Sequence, residues 1–95
     1  MTEGQDRSFV WGLLYRTRMQ ARARNVRISW GITEQWWMTL SSFDSDGGTR
    51  RFSGLAESDL DALHEVFAIL TVEGLVPPDV RAAYDARGWS HEREH

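Results

Sequence analysis

The last five residues of the chain, from His91 to His95, read HEREH. This spacing matches H-E-x-x-H, in which two histidines on one helical face bind zinc and the glutamate activates a zinc-bound water. Such a hydrolase also needs a third protein ligand and a helix buried beneath the substrate. Here the motif contains no apolar residue and stands at the end of the sequence, where chains usually fray. We therefore expect residues 90–95 to form a solvated tail, and a metal-dependent hydrolase is only the third functional hypothesis.

The segment DSDGG, residues 44–48, has the acidic start of a calcium-binding loop. Such a loop needs a glutamate at its twelfth position, but the twelfth residue counted from Asp44 is Leu55. Aspartate and glycine are also typical of tight turns, so we predict a hairpin turn. The sequence contains no cysteine and no glycine-rich phosphate loop. We therefore predict no catalytic residue, metal ligand or cofactor, and we expect that the protein is not an enzyme.

Residues 7–27 contain six arginines and no acidic residue, which gives this segment a charge of +6. On a helix, four of its residues form a mixed aromatic and basic stripe: Trp11, Tyr15, Arg18 and Arg22. This stripe could contact a partner protein, or it could hold phosphates and stack bases. The candidate phosphate ligands are Arg16, Arg18, Arg22 and Arg24.

The third interpretation of this segment is structural, with aromatic rings packed inward and arginines paired to an acidic helix predicted at 57–73. The net charge of −3 favours pairing over nucleic-acid binding, because domains that bind nucleic acid usually carry a basic total. The charge is also uneven along the sequence. Residues 1–54 carry eight arginines and five acids, for +3, whereas residues 55–95 carry three arginines and nine acids, for −6. This asymmetry indicates a charged partner, or two halves that face each other.

Trp36 and Trp37 are adjacent, so on a strand they point to opposite faces of the sheet. If Trp36 enters the core, Trp37 shares the other face with Arg27 and Arg51. An exposed tryptophan among arginines is typical of an interface hot spot. Two further possibilities stay open: the N-terminal helix covers that face, or the second copy in a homodimer does.

The first element that would position these residues is a helix. Residues 1–7 are polar and predict a loose leader, and Ser8 is a suitable N-cap for a helix that continues to about Arg24. Its apolar stripe is Val10, Leu13, Leu14, Thr17 and Ala21. Residues 15–24 also alternate with the period of a strand. We prefer the helix because alanine and arginine are poor strand residues.

Three strands and two helices are predicted to follow. Apolar residues alternate over 26–32 and 36–41, which predicts two strands, and residues 49–53 supply a third. Ser58 begins a helix that stops at Gly74, and a short helix runs from the Pro77-Pro78 pair to Gly88. The order α-β-β-β-α-α predicts an α+β fold, a three-stranded antiparallel meander with helices mainly on one face.

These features predict a single domain over residues 1–95, because so short a chain cannot form two cores. We expect a small non-catalytic binding or regulatory protein that docks on another protein, such as an inhibitor-type accessory protein of a phage or mobile element. A homodimer is possible, and nucleic-acid binding is the second hypothesis. No stretch approaches the ~18 apolar residues that span a bilayer, and cysteine is absent, so we expect a cytoplasmic protein without membrane contact. The predicted contact residues are Trp37, Arg27, Arg51, Trp11, Tyr15, Arg18 and Arg22.

Overall fold

The computed structural model describes residues 2–32, 35–42 and 48–89, with side chains from Gly4 onward. Its elements are α1 (Thr2–Arg22), β1 (Val26–Ile32), β2 (Gln35–Ser42), β3 (Thr49–Leu55), α2 (Asp59–Val72) and α3 (Pro78–Ala86). The strands form one antiparallel sheet in the order β1-β2-β3. This arrangement confirms the predicted α+β meander and its order of elements.

Helix α1 begins at Thr2, so the prediction of a loose leader is wrong for residues 2–7 and Ser8 is not the N-cap. The first turns of α1 are held by contacts with the far end of the sequence. The Arg87 guanidinium donates to Asp6 Oδ1 at 2.5 Å, and the Phe9 ring packs edge-on against Trp89. Because these partners lie 81 and 80 residues away along the chain, the local sequence around α1 does not indicate them. The strand alternative for residues 15–24 is also wrong, since α1 continues to Arg22.

The core lies between the helices and one face of the sheet. The predicted apolar stripe of α1 is buried throughout, and the Thr17 hydroxyl within it donates to the Leu13 carbonyl oxygen at 2.9 Å. That hydrogen bond removes the cost of burying the hydroxyl. The sheet contributes Ile28, Trp36, Met38 and Leu40, and α2 contributes Ala62, Leu63, Val66, Phe67 and Leu70. The apolar residues of the alternation predicted for β1 and β2 therefore face the helices.

Local signals set the ends of α2 and α3. The Ser58 hydroxyl oxygen accepts a hydrogen bond from the Asp61 backbone N–H at 3.1 Å, which makes Ser58 the N-cap of α2 as predicted. Gly74 follows α2 with φ of +76°, and Gly88 follows α3 with φ of +82°. Glycine adopts this left-handed conformation without the steric cost that other residues have. Of the predicted DSDGG turn, residues 44–47 lie outside the described residues.

Candidate docking surface

The open face of the sheet points away from the helices and presents Trp37. Trp36 is 5% exposed in the core, whereas Trp37 is half-buried on the opposite face, as the predicted register requires. In the sheet, Trp37 pairs with Gly31 of β1, and Thr39 pairs with Arg51 of β3. Because side chains alternate along a strand, Trp37 and Arg51 lie on the same face, two residues apart along the ladder.

Gly31 allows the Trp37 ring to lie flat across β1. A Cβ atom at Gly31 would lie 2.5 to 2.7 Å from Nε1, Cε2 and Cζ2 of Trp37, which is closer than real Cβ contacts. The Arg51 guanidinium carbon lies 5.6 Å from the centroid of the Trp37 ring, within the range of a cation–π interaction. The Trp37 side chain is therefore held in one position on the open face by Gly31 and Arg51.

The aromatic and basic stripe of α1 meets the sheet at the outer edge of β1. Trp11 is 47% exposed and Tyr15 is 53% exposed, so the interpretation with inward-packed aromatic rings is wrong for both. The Trp11 ring lies edge-on to Trp30 at 5.7 Å between centroids, and the Arg18 guanidinium carbon lies 6.0 Å from the Trp30 ring. These contacts fix the position of the stripe against β1.

Three neighbouring depressions follow the line between α1 and β1. The aromatic depression has a volume of about 320 Å³ and is lined by Trp11, Tyr15, Arg18, Ser29, Trp30 and Trp37. The arginine depression has a volume of about 290 Å³ and is lined by Arg18, Arg22, Arg27, Ile28 and Ser29. The third depression has a volume of about 380 Å³ and is lined by Arg7, Ser8, Trp11, Ile32, Asp59 and Leu63. The aromatic depression lies between the other two: it shares Arg18 and Ser29 with the arginine depression and Trp11 with the third. Together the three form what we call the α1–β1 groove.

All seven predicted contact residues lie on one continuous surface. Six of them line the aromatic and arginine depressions, and Arg51 joins them through its contact with Trp37. Among the described residues that line these two depressions there is no carboxylate. The surface is therefore basic and aromatic, although the whole chain carries a net charge of −3.

The predicted pairing of α1 arginines with acids of α2 is wrong for Arg16. Its guanidinium pairs with Asp79 of α3 at 2.5 Å, and Glu73 of α2 pairs instead with Arg50 of β3 at 2.5 Å. Within the part of the chain that the structure describes, no carboxylate pairs with Arg18. The four candidate phosphate ligands are thus separated: Arg18 and Arg22 line the groove, Arg16 contacts α3, and Arg24 lies in the turn after α1.

Three residues of this surface were not among the predicted contact residues, namely Ser29, Trp30 and Gly31. Trp30 lies on the apolar side of the β1 alternation, where it is half-buried against the core and also lines the aromatic depression. Gly31 faces Trp37 across the strand pair, and this pairing could be found only once the register was known. The local signal for Gly31 was its position next to Trp30 in the first predicted strand.

The other kind of site that the sequence raised is a metal site built from histidine and acidic residues. No group of three or more His, Cys, Asp or Glu residues able to hold a metal ion occurs among residues 2–32, 35–42 and 48–89. The HEREH motif lies outside those ranges. His64 has its Nδ1 2.7 Å from the Tyr84 hydroxyl oxygen and packs edge-on to Trp89, which is a structural role.

No helix among the described residues is both long enough and apolar enough to cross a membrane. Comparison of the chain with known protein families, with curated protein sequences and with solved structures finds no match.

Proposed function

We propose that this chain is a small non-catalytic docking protein, which binds another protein through the α1–β1 groove and the adjoining open face around Trp37. The observation that supports this proposal is the grouping of Trp11, Tyr15, Trp37 and several arginines on one surface. Tryptophan, tyrosine and arginine are the residues most enriched in interface hot spots. The fixed position of Trp37 over Gly31 adds the pre-organisation that strong contacts need.

The partner that fits this surface carries negative charge and apolar side chains, because arginine-rich surfaces favour acidic partners. A regulatory or inhibitory role follows from docking without catalysis, and a phage or mobile-element origin agrees with the small lysine-free and cysteine-free chain. The absence of cysteine also fits a cytoplasmic setting. A second copy of the chain is an alternative partner, as in a homodimer.

Substitution of Trp37 tests the proposal directly. We expect Trp37→Ala to weaken partner binding by at least about tenfold, because truncating a central aromatic anchor removes a hot spot. Gly31→Ala keeps the tryptophan at position 37 but should weaken binding to a similar degree, because the added methyl group displaces the Trp37 ring from β1. The measurement is capture from a lysate of the native host, with wild type and variants immobilised in parallel, followed by titration of the captured protein.

The matched control for this experiment is Val72→Ala, since Val72 is 83% exposed at the end of α2. It removes exposed apolar surface at a position outside the groove, so we expect unchanged capture. Sedimentation of the purified wild type and of Trp37→Ala measures self-association on the same surface. A partner that is retained equally by wild type, Trp37→Ala and Gly31→Ala would contradict the proposal.

The second candidate function is binding of single-stranded nucleic acid, favoured by three arginines that line one depression next to exposed aromatic rings. Three phosphate contacts on a single strand imply a slope of log K against log salt near −2, at about −0.7 per contact. We expect only weak background binding, since the protein as a whole is acidic. Anisotropy of labelled dT12 over a range of salt concentrations measures the slope. Micromolar binding at physiological salt, with a slope that Arg27→Ala flattens by about 0.7, would favour nucleic acid over protein docking.

A further inference from the structure

One wall of the α1–β1 groove is the edge of a β-sheet. Among the described strands, β1 pairs with β2 alone, so β1 is an edge strand of the sheet. An edge strand presents a row of backbone N–H and C=O groups that can pair with another extended chain. Recognition by strand addition uses these backbone groups for affinity and neighbouring pockets for specificity.

The groove has the length and the spacing that an extended segment requires. Along β1, the lining residues pass from Ile32 in the third depression, through Trp30 in the aromatic one, to Arg27 in the arginine one. A seven-residue strand such as β1 is about 20–24 Å long. In an added strand, side chains two residues apart project to the same side at intervals of about 6.8 Å. From one depression to the next, the α1 residues in the lining advance by roughly five or six positions, or about 8–9 Å at 1.5 Å per residue, which is of the same order as this interval.

The charge of the groove selects the chemistry of such a segment. Arg18, Arg22 and Arg27 surround the arginine depression, and guanidinium groups bind carboxylates through paired hydrogen bonds. The neighbouring depression offers Trp11, Tyr15, Trp30 and Trp37, which favour a large apolar or aromatic side chain.

We propose that the α1–β1 groove binds an extended acidic segment of the partner protein, which adds to the outer edge of β1 as a fourth strand. This inference rests on the proposed docking function and specifies the partner. Within a segment of about six or seven residues, a carboxylate side chain occupies the arginine depression. A large apolar side chain, two residues away, occupies the aromatic depression.

Selection from a library of random linear twelve-residue peptides, with the full-length protein as target, tests this proposal. We expect the enriched peptides to share an aspartate or glutamate two residues from an aromatic or long aliphatic residue. A synthetic peptide of the enriched sequence should then slow hydrogen exchange of backbone amides within Val26–Ile32, since new ladder bonds protect them. Enrichment without a shared acidic position, or binding that protects no amide of β1, would contradict strand addition.

Reversing the charge of an arginine in the groove tests whether that arginine binds the carboxylate of the peptide or only supports the fold. Arg27→Glu should weaken binding of the selected peptide by at least about tenfold, and it should strengthen binding of a peptide with lysine in place of the carboxylate residue. Arg18→Glu is the second variant, for use if Arg27→Glu does not fold. Arg81→Ala is the control, because Arg81 pairs with Asp85 in α3 and does not line the groove. Equal affinity of the wild type and both glutamate variants for the acidic peptide would overturn the proposal.

The outcome for the segment can be distinguished from the outcome for the docking function. If no peptide is enriched but binding of a captured partner still depends on Trp37, the docking function is supported and the proposal of an extended segment is wrong. If binding of the peptides and binding of every captured protein are both independent of Trp37 and Arg27, both proposals are wrong. Tighter binding of dT12 than of every selected peptide would also overturn the segment proposal and would assign the groove to nucleic acid.

Discussion

Trp36→Ala should lower the free energy of unfolding by about 3–5 kcal/mol, whereas Trp37→Ala should lower it by less than about 1.5 kcal/mol. Trp36 is 5% exposed within the core, so its truncation leaves a cavity that the neighbouring side chains cannot fill. Trp37 lies on the open face, where water can occupy the space left by its ring. Urea denaturation followed by circular dichroism measures both changes against the wild type.

Trp36→Phe is the matched control for this comparison. The Trp36 Nε1 atom is buried and has no hydrogen-bond partner among the described residues. Phenylalanine keeps most of the apolar volume and removes this unpaired donor, so we expect a smaller loss of stability than for alanine. A larger loss for Trp37→Ala than for Trp36→Ala would show that the register of β2 is displaced by one residue.

Arg87→Ala should lower the free energy of unfolding by about 2 kcal/mol, a large effect for a partly exposed arginine. The Arg87 guanidinium carbon lies 4.4 Å from the Phe9 ring centroid and 5.0 Å from the Trp89 ring centroid, and it also pairs with Asp6. Two cation–π contacts contribute about 0.5–1 kcal/mol each, and the ion pair contributes up to about 1 kcal/mol. Thermal or urea denaturation measures the sum.

The control for this cluster is Arg81→Ala, which breaks an exposed pair with Asp85 one helical turn away and should cost no more than about 0.5 kcal/mol. Arg87→Lys should recover part of the loss, since lysine keeps the charge but not the flat guanidinium that stacks on rings. Hydrogen exchange should also become faster at the amides of residues 6–9 in Arg87→Ala. An effect no larger than that of Arg81→Ala would mean that Arg87 does not hold the start of α1.

The strands and the last two helices could be predicted because their signals are local. The alternation of apolar residues predicts which face of β1 and β2 points to the core. The N-cap hydrogen bond of Ser58 sets the start of α2, and Gly74, with its left-handed φ, marks its end. The same alternation separated Trp36 from Trp37. The start of α1 at Thr2 was not predictable, since it depends on contacts of Asp6 and Phe9 with residues near the end of α3.

The candidate surface shows the same division. The sequence by itself determined that Trp11, Tyr15, Arg18 and Arg22 share one side of a helix, because helical periodicity depends only on spacing. It equally determined that Trp37 lies on the face opposite Trp36. Only the tertiary structure decided that the stripe of α1 lies along the outer edge of β1 and that Trp37 crosses Gly31. It also decided that Arg16 pairs with Asp79 of α3 and not with an acid of α2. Packing of α1 against the sheet and α3 sets these positions, and its contacts join residues far apart in sequence, whose distances no local pattern encodes.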